Sequence, residues 1–345
     1  MFKERENIIN VVLAAILILI ITANIVKMKN YRAGDRFEWS SGVYSMPGNT
    51  VQVAKCTFSY ADHWNYSINN DKILNNGRDD INYTEKGLEK AFYPDSLDIS
   101  WYSYTERKFY GGNFLLPYRL INDLARQLRN TTKSYNIDYA RANPDKVRLQ
   151  FLAEVLPNGK LTVWLSDLDK YIEIGKYQAK QINKTWEIFN SSYGNSETNK
   201  KINIASQTSL VMDEYAYSIE IQLPDLLSLR TLSVNPYNQT SWKLDKESPQ
   251  PIPVFKHIPK DIMFTWGTSK KEYWTQWSFK DEEILSAFKK LQSLPGNNKT
   301  ILLIKVNDKN DKVTTSLKKG STIIALQCAY DDPKIYEREP QKEDD

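Results

Sequence analysis

Two histidines, His63 and His257, and two cysteines, Cys56 and Cys328, are all the imidazole and thiol in the chain. That supply excludes a multi-histidine mechanism and a His-rich metal site, because a zinc centre takes three or four nitrogen, sulfur or carboxylate ligands. A nucleophile–base pair of Cys56 with His63 is conceivable. The strand-like stretch that holds Cys56 and the presence of a second cysteine argue against it. The sequence has no Gly-rich phosphate loop, no Gly-x-Ser-x-Gly, no His-Glu-x-x-His and no Cys-x-x-Cys. Asp79-Asp80, Asn307-Asp308 and Asn310-Asp311 lack EF-hand spacing and read as solvated turns. The expectation is a protein that is not an enzyme, with no catalytic residues, no metal and no cofactor. Recognition chemistry is better supplied: there are 9 Trp, 21 Tyr and 12 Phe. Tyr273, Trp274 and Trp277 flank a polar pair and are candidate partner-binding aromatics, a platform for a protein or a glycan. The competing reading makes them core aromatics on the two faces of one strand.

These aromatics sit in a pattern that occurs twice. Leu97 to Leu128 and Ile262 to Leu291 each place a Trp (Trp101, Trp266) in an alternating apolar run, the period of a half-buried strand. A charged turn, a second aromatic strand and an amphipathic helix follow in both. The Trp-to-Phe spacing is the same, Trp101 to Phe114 and Trp266 to Phe279. Pro117 suits the first turn of the first helix, and Leu120, Ile121, Leu124 and Leu128 share a face of it. Asp281, Glu282 and Glu283 suit the start of the second helix and Lys289 and Lys290 its end. A strand pair is expected after each helix: Val147 to Val155 with Leu161 to Leu165, and Thr300 to Val306 with Ser321 to Gln327. The fold class is therefore α+β, mainly antiparallel sheets with a helix between hairpins, in two related units.

Ile8 to Val26 is an apolar run broken only by Asn10, Thr22 and Asn24. At about 1.5 Å per residue it reaches close to the ~30 Å of a bilayer core, which predicts an uncleaved single-pass anchor. Flanking lysines and arginines, counted alone, favour a cytoplasmic C-terminal part. Large domains translocate largely regardless of charge, and a short tail before one span favours a periplasmic one. The net charge of +4 is too small to argue for nucleic acid. Cys56 and Cys328 are read either as buried free thiols or as a disulfide joining the first and last strands, which an oxidising compartment permits.

The expected organisation is an anchor at 1–30, a first unit at 31–189, a linker at 190–201, a second unit at 202–335 and a disordered charged tail at 336–345. Ala61 to Asp95 reads as an exposed polar excursion, Pro224 to Leu232 as a short helix, and Asn158-Gly159 as a hairpin turn.

The run Phe37-Glu38-Trp39, Pro47, PDSLDISWYSYTERKFYGGNFLLP, LPNGKLTVWLSD and IEIGKYQA together resemble a bacterial family, domain of unknown function 2931. The resemblance covers roughly Arg36 to Ala179. It implies a cell-envelope protein; many members are lipoproteins, whereas this chain has an apolar anchor segment in place of a lipidated cysteine. It supplies no catalytic residues. Some members are similar to toxin-protecting partners, which implies a protein partner, in one form an interbacterial toxin. The resulting expectation is a non-enzymatic, membrane-anchored, periplasmic protein-binding protein at the inner membrane, a candidate immunity protein. The alternative is a structural or accessory envelope protein.

Overall fold

The structure, a computed structural model, describes residues 13–23, 36–60, 63–64, 68–84, 91–131, 149–192, 203–244, 251–330 and 333–338. Of the expected anchor, residues 13–23 form an α-helix with every residue exposed, and the remainder of Ile8–Val26 lies outside the described residues. No helix among the described residues is long and apolar enough to cross a membrane. The chain divides into two compact units. One contains residues 1–103 and 108–183, the other 104–107 and 184–345.

In the first unit the strands are β1 (Trp39–Ser45), β2 (Val51–Tyr60), β3 (His63–Trp64), β4 (Ile73–Leu74), β5 (Asn82–Tyr83), β6 (Ser96–Ser103) and β7 (Lys108–Leu115). Helix α1 (Tyr118–Thr131) follows, then β8 (Leu149–Val155), β9 (Lys160–Ser166), β10 (Tyr171–Gln178) and β11 (Lys180–Gln181). They form two sheets, ordered β10-β9-β8-β1-β5 and β11-β7-β6-β2-β3, with β4 also on β2. Alternation decides which side chains face inward: Leu97, Ile99 and Trp101 of β6 join Phe151, Ala153 and Val155 of β8 in one core. Ile121, Ala125 and Leu128 bring the apolar stripe of α1 into that core. The Asn158-Gly159 signal holds, since both residues have left-handed φ, 62° and 71°, as a tight hairpin turn between β8 and β9 requires.

The second unit repeats this plan. After α2 (Ile204–Met212) come β12 (Glu214–Gln222), β13 (Ser228–Pro236), β14 (Trp242–Leu244), β15 (Phe255–His257), β16 (Pro259–Gly267) and β17 (Glu272–Ser278). Helix α3 (Asp281–Gln292) precedes β18 (Thr300–Val306), β19 (Val313–Lys319), β20 (Thr322–Leu326) and β21 (Tyr336–Arg338). The sheets run β15-β12-β18-β19-β20 and β14-β13-β16-β17-β21. Strand for strand this is the first unit's order. Even the unusual parallel pairs correspond, β1 with β8 and β12 with β18.

Trp101 and Trp266 occupy equivalent core positions. Each is fully buried and pairs across the hairpin with a tyrosine, Tyr110 or Tyr273. The rings stack at 5.5 and 5.6 Å. The equal Trp-to-Phe spacing, however, does not join equivalent residues. The first hairpin carries one more cross-strand pair beyond its Trp, closing at Ser103 with Lys108, where the second closes at Gly267 with Glu272. By register Phe114, opposite Leu97, corresponds to Trp277, opposite Ile262. Phe279 corresponds to Leu116: their amides donate to Lys260 O and Asp95 O, two residues before Ile262 and Leu97.

Several expectations need correction. Thr300–Val306 pairs with Val313–Lys319, and the stretch 322–326 pairs one strand further out. Val313–Lys319 alternates Val313, Thr315 and Leu317 inward against solvated Thr and Lys, a polar-looking strand. Tyr336–Arg338, placed in the disordered tail, is a strand on Glu272–Trp274, anchored by Tyr336 stacking on Trp274 at 4.6 Å. Ser228–Leu232 is strand rather than helix, held between β14 and β16. The polar excursion is partly buried: Asn70, Ile73, Leu74, Asn82 and Thr84 are all enclosed. Asn82 Nδ2 donates to Asn69 O at 2.7 Å and Thr84 Oγ1 donates to Ser41 O at 3.0 Å, the pairing that buried amides and hydroxyls need.

Candidate functional site

The first unit's sheet β10-β9-β8-β1-β5 sends one set of side chains into the core and the opposite set outward. Leu161, Val163 and Leu165 of β9 go in, so Trp164 goes out. The same alternation turns Glu154 on β8, Tyr44 on β1, Tyr83 on β5 and Tyr171 on β10 away from the core, although Tyr44 is itself covered and buried. The short 3-10 turn Gly77–Asp80 lays Arg78 among them. The Arg78 guanidinium is 3.7 Å from the centre of the Tyr171 ring and 5.4 Å from that of Trp164. Its Nε donates to the Tyr44 phenol at 3.3 Å, and the Trp164 indole N–H donates to Glu154 Oε2 at 2.9 Å.

Burial raises the Tyr44 phenol above its ordinary pKa against the opposing effect of Arg78. The phenol therefore stays protonated, able to accept from Arg78 while offering its own hydrogen. The result is a pre-ordered Trp, Tyr and Arg surface in which cation–π contacts fix the arginine's rotamers. Tyr83 is 47% exposed beside it. In the sequence Trp164 stands out only within the family-like hairpin. Its outward position in the alternation was the available signal, but Arg78 is far away in the chain.

The candidate aromatics of the second unit do not form one platform. Tyr273 stacks on Trp266, and Trp277 is buried, so both belong to the core face of β17. Trp274, between them in the alternation, faces outward. It lines an open cleft of about 700 Å³ with Gln276, Ser278, Tyr330, Lys334 and Tyr336.

Both cysteines are free thiols, so the disulfide reading is not realised here. Cys56 is buried on β2 in the first unit, and burial, aided by Asp98, raises its thiol pKa far above the ordinary value. Cys328 bridges to Phe279 in the second unit and is half-buried at the cleft. Titration with a thiol-reactive disulfide dye should therefore find one reactive group in the folded protein, Cys328, and a second only after denaturation. Equal rates for both would contradict the placement of Cys56. His63's side chain lies outside the described residues. His257 is pulled below its ordinary pKa by burial, partly offset by Glu214, and is neutral at pH 7. Among the described residues no three His, Cys, Asp or Glu side chains gather as a metal site.

No curated protein and no solved structure matches the chain. The profile of a family described as protein of unknown function (DUF2931) matches residues 22–217, which contain every strand of the first unit and α1 and extend to β12. Because that match spans more than half of the 345 residues, the chain belongs to the DUF2931 family.

Proposed function

We propose that this is a non-enzymatic binding protein, held at a bacterial inner membrane by Ile8–Val26 with its two units in the periplasm. Its partner is a protein, most concretely an interbacterial toxin against which it confers immunity. The observation that carries this reading is the Arg78–Trp164–Tyr171 surface. Tryptophan, tyrosine and arginine supply most of the energy of protein interfaces, and side chains ordered before binding lose less entropy on docking. A tether at the membrane would hold that surface where a toxin enters the envelope.

The test is competition between cells. A strain lacking the gene should be outcompeted by a toxin-secreting parent. Restoring the wild-type chain should protect it, and a Trp164→Ala, Arg78→Glu double variant present at equal level should not. Normal competition by the deletion strain, together with altered envelope integrity when grown alone, would replace this reading with a structural envelope role.

A further inference from the structure

The correspondence between the two units shows where they have diverged. With Tyr110 equivalent to Tyr273, the next residue along β7 and β17 is Gly111 in the first unit and Trp274 in the second. A side chain at Gly111 would be crowded, since a Cβ there would lie 3.0 Å from Ile182 Cδ1 and 3.3 Å from Ile99 O. The strands beyond them also correspond: Lys180 of β11 pairs with Gly111, and Tyr336 of β21 with Trp274. Yet β10 reaches β11 through Ala179 alone, while residues 327–335 separate β20 from β21. The second unit thus carries both an inserted segment and a tryptophan where its counterpart carries a glycine. The cleft lies between them.

We infer that this cleft is an oligosaccharide-binding site. Trp274 and Tyr336 stack face to face at 4.6 Å with planes 14° apart, so each covers one face of the other and the pair offers the cleft a single aromatic face as its floor. A sugar ring offers C–H groups to such a floor and hydroxyls at its rim. Gln276, Ser278, Tyr330 and Lys334 also line the cleft and carry an amide, a hydroxyl, a phenol and an ammonium that can donate or accept. Few polar groups placed around an apolar base is the composition of a small-ligand site. A peptide adding as a strand fits less well, because the outer edge of β17 is already engaged on both sides of the cleft. Tyr336–Arg338 pairs with Glu272–Trp274, the Ala329 amide donates to Ser278 O at 2.8 Å, and Thr275 Oγ1 donates to Lys334 O at 3.1 Å. Strand addition needs a free edge.

The experiment is calorimetric titration of the full-length protein, in a detergent without a sugar headgroup, with chitotetraose, cellotetraose and maltotetraose. At least one should bind with a Kd of about 10 μM to 1 mM. Trp274→Ala and Gln276→Ala should each weaken it by about tenfold or more. Gln276→Ala guards against misfolding, since Gln276 is exposed. Trp164→Ala, in the other unit, should leave the sugar Kd unchanged while abolishing protection in the competition assay, so the two readings fail separately. No binding of any of the three sugars at about 10 mM, or an unchanged Kd in both cleft variants, overturns the site. So does a Trp274→Ala variant that binds sugar normally but loses the protein partner.

Discussion

Replacing Trp266 with alanine should cost the second unit about 3–5 kcal/mol, the range for emptying a buried tryptophan site. The side chain is fully buried. It stacks on Tyr273 at 5.6 Å and lies 5.1 Å from Phe264. Its indole N–H donates to Asn310 Oδ1 at 2.7 Å, fixing the turn between β18 and β19. Truncation therefore leaves a cavity and an unpaired amide oxygen together, and losses of this kind add. Trp101→Ala should strike the first unit similarly through its stacking on Tyr110. Because the chain has two compact units, one melting temperature would not separate these effects. Hydrogen exchange resolved by peptide would: Trp266→Ala should lower protection in β16–β18, and Trp101→Ala in β6–β8. A loss below about 1 kcal/mol for either variant would mean that the core repacks around the gap. Uniform loss in both units from one substitution would mean that they do not unfold separately.

Those two tryptophans also show what a sequence can and cannot reveal. The alternation that buries Leu97, Ile99 and Trp101, and Ile262, Phe264 and Trp266, is local, so the repeat was legible. The equal Trp-to-Phe spacing supported the right conclusion for a wrong reason, since only cross-strand register tells which residues correspond. Register depends on hairpin length, and the hairpins differ by one pair. The parallel partners β1 and β8 were hidden because pairing between distant strands leaves no local pattern. The same blindness explains the site. Trp164 faces outward by alternation, but what covers that face, the turn carrying Arg78, comes from a polar stretch whose burial depends on hydrogen bonds such as Asn82 to Asn69 O. At Tyr273, Trp274 and Trp277 the spacing leaves a platform and a two-faced core strand both open; one residue in a strand decides core or solvent, and only Trp274 is on the solvent side.

Raising the pH above about 10 should destabilise both units. Tyr217 and Tyr237 in the second unit and Tyr93 in the first are buried, and burial raises all three phenol pKa values well beyond the ordinary one. In Tyr237 the Asp281 carboxylate adds to the shift, accepting a hydrogen bond from the phenol at 2.6 Å. A raised folded pKa means that the native state keeps these protons while the unfolded chain releases them above about pH 10. Their stabilisation is therefore fully present below that pH and declines as pH rises toward the folded values. Each tyrosine contributes a slope of about 1.4 kcal/mol per pH unit. Tyr217 and Tyr237 together give the second unit about 2.7 kcal/mol per unit, to which the raised Tyr215 adds; in the first unit Tyr44, Tyr83 and Tyr177, all raised by burial, act beside Tyr93. Two pH units would remove about 5 kcal/mol, comparable to the whole stability of a marginal domain. Urea unfolding between pH 8 and 11.5, followed in each unit by peptide-resolved exchange, measures the slopes. Tyr217→Phe, which keeps the ring against Phe255 and Phe288, should lower the slope of the second unit by about 1.4 kcal/mol per pH unit. An unchanged slope in that variant would show that the Tyr217 phenol ionises in the folded protein, and the burial argument would fail at that residue.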